Sequence, residues 1–322
     1  MPLDRRAHRL LDMLAAAGAE APASVADRRA ALAALAQSAD DATIPATIED
    51  REIEGPGGAL PIRVYRPLER RAGPSPALVF FHGGGWVAGG LDTHDGLCRR
   101  LCESSGAVLV AVDYRLAPEH PFPAAIEDAL AALAWVSGHT AELRIDPDKI
   151  AVGGDSVGGG LAAAAAQTSR DSVGPAVALQ VLICPILDVA ARTPSRVAFR
   201  DGHFISRAAF AQDLGDYAWT SSAADPWLSP GRNRDLADLP PALIHTAEYD
   251  PFRDEAEAYA AALSAAGVET TAIRHPGMIH YFYAMARAIP YAEAAAAVIG
   301  GQMRMAFEKV AENSAHMAAA RR

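Results

Sequence analysis

Six apolar runs of strand length recur along the chain, at residues 77–81, 107–112, 149–152, 177–183, 242–246 and 269–273. Helical stretches at 94–103, 124–136, 157–169 and 252–266 fall between most of them. A strand that is apolar along its whole length is buried on both faces, and regular alternation with helices covers those faces. The pattern predicts an α/β fold with a mostly parallel sheet. A hairpin pattern precedes it: residues 44–53, a turn at Gly55-Pro56-Gly57-Gly58, then residues 60–65. That brings the expected strand count to eight.

Two segments stand outside the alternation. Residues 1–45 read as Ala-rich helices, with Leu3, Leu10, Leu11 and Leu14 on one face and Leu32 and Leu35 on another. Residues 188–240 separate the sixth and seventh strands by far more than a strand-to-helix loop needs. This interval carries Phe199, Phe204, Phe210, Tyr217, Trp219 and Trp227, so it reads as an inserted helical cap rather than a linker. The expected organisation is cap helices at 1–45, a core in two parts at 46–187 and 241–322, and an inserted cap at 188–240. A helix is predicted at 291–310, with the last ten residues frayed.

Charge and cysteine content narrow the function classes. The 322 residues include 29 basic and 39 acidic ones, a net charge of −10. That balance argues against a nucleic-acid or anionic-membrane partner, both of which need basic patches. The three cysteines, Cys98, Cys102 and Cys184, read as small buried hydrophobes without a disulfide framework. No run approaches the ~18 apolar residues that span a bilayer. The N-terminal apolar stretch is broken by Asp12 and preceded by Asp4, Arg5, Arg6 and Arg9, unlike a signal peptide. The expectation is a soluble, cytoplasmic protein.

Gly154-Asp155-Ser156-Val157-Gly158 matches G-x-S-x-G, follows a strand and opens a helix. Such an elbow exposes the serine hydroxyl at the carboxyl end of a sheet, beside a helix N-terminus. A hydroxyl needs a base to take its proton. Among ten histidines, His280 follows the last expected strand, after His275-Pro276-Gly277, on the sheet end of Ser156. His8, His94, His120, His139, His203, His245, His275 and His316 read as ordinary surface or core residues. The acid that orients the base is expected at Asp250, directly after the strand at 242–246. Asp254 and Glu255 are rivals in the first turn of the next helix, where acids commonly complement the dipole.

His82-Gly83-Gly84-Gly85-Trp86 supplies bare backbone N–H groups after a strand. Oxyanion donors are expected from Gly84 and Gly85, with a third from Val157. Gly83, Gly85 and Ala88 also satisfy a dinucleotide fingerprint, but no helix opens there and Gly89-Gly90 prolong the loop. No phosphate-binding loop or metal-ligand string occurs, so neither a cofactor nor a metal is expected. The order Ser156, Asp250, His280 is that of the α/β-hydrolases.

These blocks resemble the bacterial hormone-sensitive-lipase-like carboxylesterases, the family IV lipolytic enzymes. His82–Trp86 is similar to their HGGGW block. Asp113-Tyr114-Arg115-Leu116-Ala117-Pro118-Glu119 is similar to DYRLAPE, Gly154–Gly159 to GDSAGG, and Asp250–Glu255 to DPLRDE. His280 takes the place of the HGF histidine. The resemblance implies an eight-stranded α/β-hydrolase sheet with a helical cap, cofactor-free hydrolysis of short-to-medium acyl esters, a small-molecule substrate and, as in many members, a homodimer. It places the triad on Ser156, Asp250 and His280 and the oxyanion donors on Gly84, Gly85 and Val157. Trp86, Leu187, Phe204, Ile205, Trp219 and Tyr281 are the candidate pocket walls.

Two positions depart from the family pattern. Val157 replaces the usual Ala, and its branched side chain is expected to crowd the acyl site; Tyr281 replaces the usual Gly, and its phenol is expected either to narrow the pocket or to hydrogen-bond a polar substrate. Glu119 reads as a residue that fixes its loop by pairing with a nearby backbone group or arginine. A ligand-binding receptor on the same scaffold would lack the catalytic histidine, which is present here. An amidase or lactonase is the alternative within hydrolases.

Overall fold

The structure, a computed structural model, describes residues 1–17, 24–40, 44, 46–69, 73–172 and 174–320, with side chains to residue 312. Of the N-terminal segment, 18–23, 41–43 and 45 therefore lie outside the described residues, as do 321 and 322 at the other end. Helices α1 (Arg5–Ala16) and α2 (Val25–Ala39) come first, then the hairpin β1 (Thr47–Gly55) and β2 (Gly58–Arg66). There follow β3 (Ser75–Phe81), α3 (Asp95–Ser105), β4 (Val108–Val112), α4 (Ala124–Gly138), a single turn α5 (Thr140–Leu143), β5 (Ile145–Asp155), α6 (Val157–Asp171) and β6 (Leu179–Ile183). The insertion carries α7 (Pro194–Ala198) and α8 (Arg207–Ala218). The chain closes with β7 (Ala242–Tyr249), α9 (Arg253–Ala265), β8 (Thr270–Ile279) and α10 (Tyr291–Ala320).

The eight strands form one sheet in the order β1-β2-β4-β3-β5-β6-β7-β8. The hairpin joins antiparallel to β4, and every pairing from β4 onward is parallel. Side chains alternate across the pleat. Val79 and Phe81 therefore enter the cluster beneath α4, α6 and α9, while Leu78 and Phe80 enter that beneath α3 and α10. Among the described residues, no helix is long and apolar enough to cross a membrane.

Three boundaries differ most from the sequence expectation. Strand β5 starts at Ile145 because Ser75 pairs with it ahead of an irregularity that absorbs Asp146-Pro147-Asp148. His275-Pro276-Gly277 is not a turn: β8 runs through it to Ile279, accommodated by a register shift against β7 between Ala247 and Tyr249. Gly277 there adopts φ +73° and accepts from the Asp4 N–H at 3.0 Å, which ties α1 to the sheet. The C-terminal helix runs past the expected end at residue 310 to Ala320, and the last two of the ten residues expected to fray lie outside the described residues.

Helix α2 is held to the core by a buried ion pair. Its C-cap Asp40 receives both guanidinium N–H groups of Arg100 on α3, at 2.7 and 2.9 Å. Removing one partner leaves an uncompensated buried charge, which costs ~3–5 kcal/mol. Arg100→Ala is expected to lower stability by about 3 kcal/mol in urea unfolding, whereas Arg99→Ala, at a more exposed pair, should cost under about 1 kcal/mol.

Candidate active site

Strand β5 lies in the middle of the sheet, and the chain reverses sharply where it meets α6. Ser156 sits at that corner with φ 55° and ψ −122°. Gly154 and Gly158, two residues to either side, must be glycine, because a Cβ on either would run into the carbonyl oxygen of Phe81. The corner lifts the Ser156 hydroxyl to the carboxyl edge of the sheet, where β7 and β8 also end. Asp250 follows β7 directly and His280 follows β8 directly.

The three side chains meet there. Ser156 Oγ lies 3.0 Å from His280 Nε2, and His280 Nδ1 lies 2.8 Å from Asp250 Oδ2. A carboxylate only accepts, so Nδ1 carries the proton and Nε2 is left to accept from the serine. Asp250 is fully buried, and its Oδ1 accepts the Phe252 N–H at 2.8 Å. The rival acids are otherwise engaged. Asp254 accepts from the Ser195 N–H at 2.7 Å, and Glu255 accepts from Leu187 N–H at 2.9 Å and Arg196 at 2.8 Å. Burial pushes the Glu255 carboxyl up to about 7, against the pull of Arg196.

Gly84 and Gly85 line the same cavity as Ser156 and His280, with φ 125° and 66°. Val157 begins α6, where the first N–H groups have no partner within the helix. The Val157 side chain is not in the cavity but in the central core, so it does not crowd the acyl site.

A second group of polar side chains stands behind the nucleophile. Asp155 is fully buried and accepts from Gly83 N–H at 2.9 Å, Tyr283 O–H at 3.1 Å and His94 Nε2 at 3.3 Å. Burial works to raise its pKa, but His94, His82 and the Gly83 N–H together outweigh it and hold the carboxyl below the usual range. Because Asp155 directly precedes Ser156, its bond to Gly83 registers the glycine strip against the nucleophile. Tyr114 donates to the His82 carbonyl at 2.6 Å and stacks on the His82 ring at 4.2 Å. By sequence alone His94 reads as an ordinary surface or core residue. Its position before α3 follows no periodicity, and only the folded contacts reveal the role.

The cavity has a volume of about 230 Å³ and is mainly apolar. Of the six candidate walls, Phe204, Ile205 and Tyr281 line it. Trp86 does not: its backbone is left-handed at φ 62° and its ring stacks flat on Tyr217 of α8 at 4.7 Å. Leu187 is buried in the core, and Ile186, one residue earlier, faces the cavity instead. Trp219 is 78% exposed, because it lies two residues beyond the inward Tyr217 and so on the outer side of α8. The Tyr281 ring stacks against Phe204 at 5.5 Å, and its hydroxyl points to the Thr93 carbonyl at 3.4 Å. Leu14, Leu32 and Leu35 of the N-terminal helices complete the apolar wall.

One acid enters this apolar space. Asp213 of α8 abuts Gly85 and pairs with Arg28 of α2. Burial pushes its carboxyl up to about 7 although Arg28 pulls the other way. Glu119 pairs with Arg29 at 2.6 Å, and the same guanidinium donates to the Ala117 and Val87 carbonyls. Arg29 draws that exposed carboxyl down to about 2.

A hydroxyl bonded to an unprotonated imidazole nitrogen reacts with phosphorus electrophiles. A fluorophosphonate is expected to add a single adduct at Ser156, read by intact mass and peptide mapping. Ser156→Ala should take up none, and adduct formation in that variant would refute the assignment.

Comparison with known proteins agrees with this architecture. Residues 78–284 match the family described as the alpha/beta hydrolase fold. Carboxylic ester hydrolase LipN of Mycobacterium tuberculosis is 44% identical over 246 residues, covering 74% of this chain and 65% of LipN, so the match spans just under two thirds of that relative. Carboxylesterase NlhH of the same organism is 43% identical over 251 residues, 76% of this chain and 78% of that one. An esterase structure from Pyrobaculum calidifontis superposes with a TM-score of 0.86 at 40% identity, covering 94% of this chain and 99% of that one. A hydrolase from the Lake Arreo metagenome reaches 0.90 at 37% identity, covering 95% and 99%. The chain belongs to the alpha/beta hydrolase fold family, among the hormone-sensitive-lipase-like carboxylic ester hydrolases.

Proposed function

We propose that the protein is a serine esterase that cleaves short-to-medium acyl carboxylic esters through an acyl-enzyme. The observation that carries this reading is the 3.0 Å approach of Ser156 Oγ to His280 Nε2 in a cavity that Gly84 and Gly85 also line. Ser156 Oγ attacks the ester carbonyl as its proton passes to Nε2. The carbonyl oxygen takes the negative charge and rests on the N–H groups of Gly84, Gly85 and Val157. The imidazolium is stabilised by Asp250. The carbon–oxygen bond to the alcohol breaks, and the alcohol leaves with the proton from Nε2. Water then gives a proton to Nε2 and attacks the acyl carbon, and the reverse sequence frees the acid and restores Ser156.

Size supports the substrate class. Pockets for drug-sized ligands run from ~300 to ~1,000 Å³, and this one is smaller. Leu14, Leu32 and Leu35 line it together with Phe204, Ile205 and Phe210, an apolar surface that suits a short acyl chain. A series of p-nitrophenyl esters should therefore show high kcat/KM from acetate to hexanoate and a steep decline to palmitate. A preference for palmitate would sink the short-chain assignment.

The glycine strip offers a second test. Gly84 has φ 125°, and a Cβ there would collide with the Ala88 carbonyl. Gly84→Ala is expected to lower kcat by ~10²-fold or more while the protein still unfolds cooperatively. Unchanged kcat would remove Gly84 from the oxyanion site.

A further inference from the structure

The Asp250 carboxylate has a third neighbour that the triad does not use. Cys184 follows β6 and is buried. Its Sγ, a carboxylate oxygen of Asp250 and a ring nitrogen of His280 all lie within 4.8 Å of one another. The backbone at Cys184 is left-handed at φ 44°, which an L-residue adopts only when its surroundings enforce it. The Cys184 N–H donates to the His245 carbonyl at 2.6 Å, and Pro185 follows, so the chain is clamped on both sides. This turn brings the thiol within 4.8 Å of an Asp250 carboxylate oxygen.

Each oxygen of a carboxylate can accept more than one hydrogen bond, and further donors offset more of the hydration a buried one has lost. Among the described side chains and backbone, Phe252 N–H and His280 Nδ1–H supply two. We propose that Cys184 is a positioning residue of the triad: its S–H donates to Asp250 and holds the carboxylate in the orientation that aims His280 at Ser156. This inference rests on the esterase reading above. Burial pushes the thiol far above its ordinary range, so it remains an S–H donor.

The other titratable groups that face this cluster are Asp155 at the end of β5 and Tyr281 and Tyr283 after β8. Burial raises both phenols, which stay neutral. Arg253 and Asp254, next along from Asp250, are turned toward each other and toward the Glu248 carbonyl and Ser195. The thiol drains charge from the carboxylate. Without it, the more basic carboxylate holds the imidazolium more strongly, and the acidic limb of the rate profile moves to higher pH.

The test compares Cys184→Ala with Cys184→Ser on p-nitrophenyl butyrate. The Ala variant is expected to lose roughly five-fold in kcat with KM little changed, and its acidic limb should rise by about 0.5 pH. The Ser variant keeps a donor and should recover most of both. Equal behaviour of the two variants, or no movement of the limb, would overturn the proposal. If neither variant folds, S–H infrared bands of the unaltered protein decide: one of the three thiols should absorb at lower frequency, and three coincident bands would refute it. Ser156→Ala runs alongside. Residual turnover there would fail the esterase reading, whereas full dependence on Ser156 with indifferent Cys184 variants fails only this inference.

Discussion

The left-handed corner at Ser156 is the constraint on which the site depends. A serine at φ 55° is costly in isolation, so the surroundings must over-determine it. They do so through the sheet. Strand β5 is pinned between β3 and β6, the Ser156 N–H donates to the Ile183 carbonyl at 2.9 Å, and the Ser156 carbonyl accepts from Ile186 at 3.0 Å. Any relaxation of the corner would break central sheet contacts, so the strain is held by the whole core rather than by the loop.

Burial of charge explains why the machinery extends beyond three residues. Asp155 and Asp250 are both removed from water, and an unpaired buried carboxylate is worth several kcal/mol of instability. Each is therefore surrounded by donors: Gly83, His94 and Tyr283 around Asp155, and Phe252 and His280 around Asp250. These donors come from the segments that follow β3 and β8 and from the residues just ahead of α3 and α9, so satisfying the charges also fixes the relative placement of nucleophile, base and glycine strip.

The cavity roof is assembled from segments far apart in the chain. Arg28 of α2 reaches Asp213 and Asp216 of α8, which joins the N-terminal helices to the insertion. The insertion is in turn anchored to α9 by Arg196 on Glu255 and by Ser195 on Asp254. Phe204 and Tyr281 then stack where the insertion meets the base. The walls thus come from helix faces and from the segments between elements, while the reacting groups come from strand ends.

What the sequence by itself determined was everything carried by local pattern: continuous apolar strands, the G-x-S-x-G corner, the bare glycines at 83–85, and the order of Ser156, Asp250 and His280. These are legible because each reflects a short-range demand, a pleated core strand or a backbone that no side chain tolerates. The tertiary structure alone decided which side chains face the cavity. Trp86 and Trp219 share the aromatic character of Phe204 yet turn away, and Ile186 rather than Leu187 points inward. It also decided that His94, Asp213 and Cys184 lie beside the reacting groups. Such choices depend on how helices and strand ends from distant parts of the chain rotate against one another, and no local periodicity records that rotation.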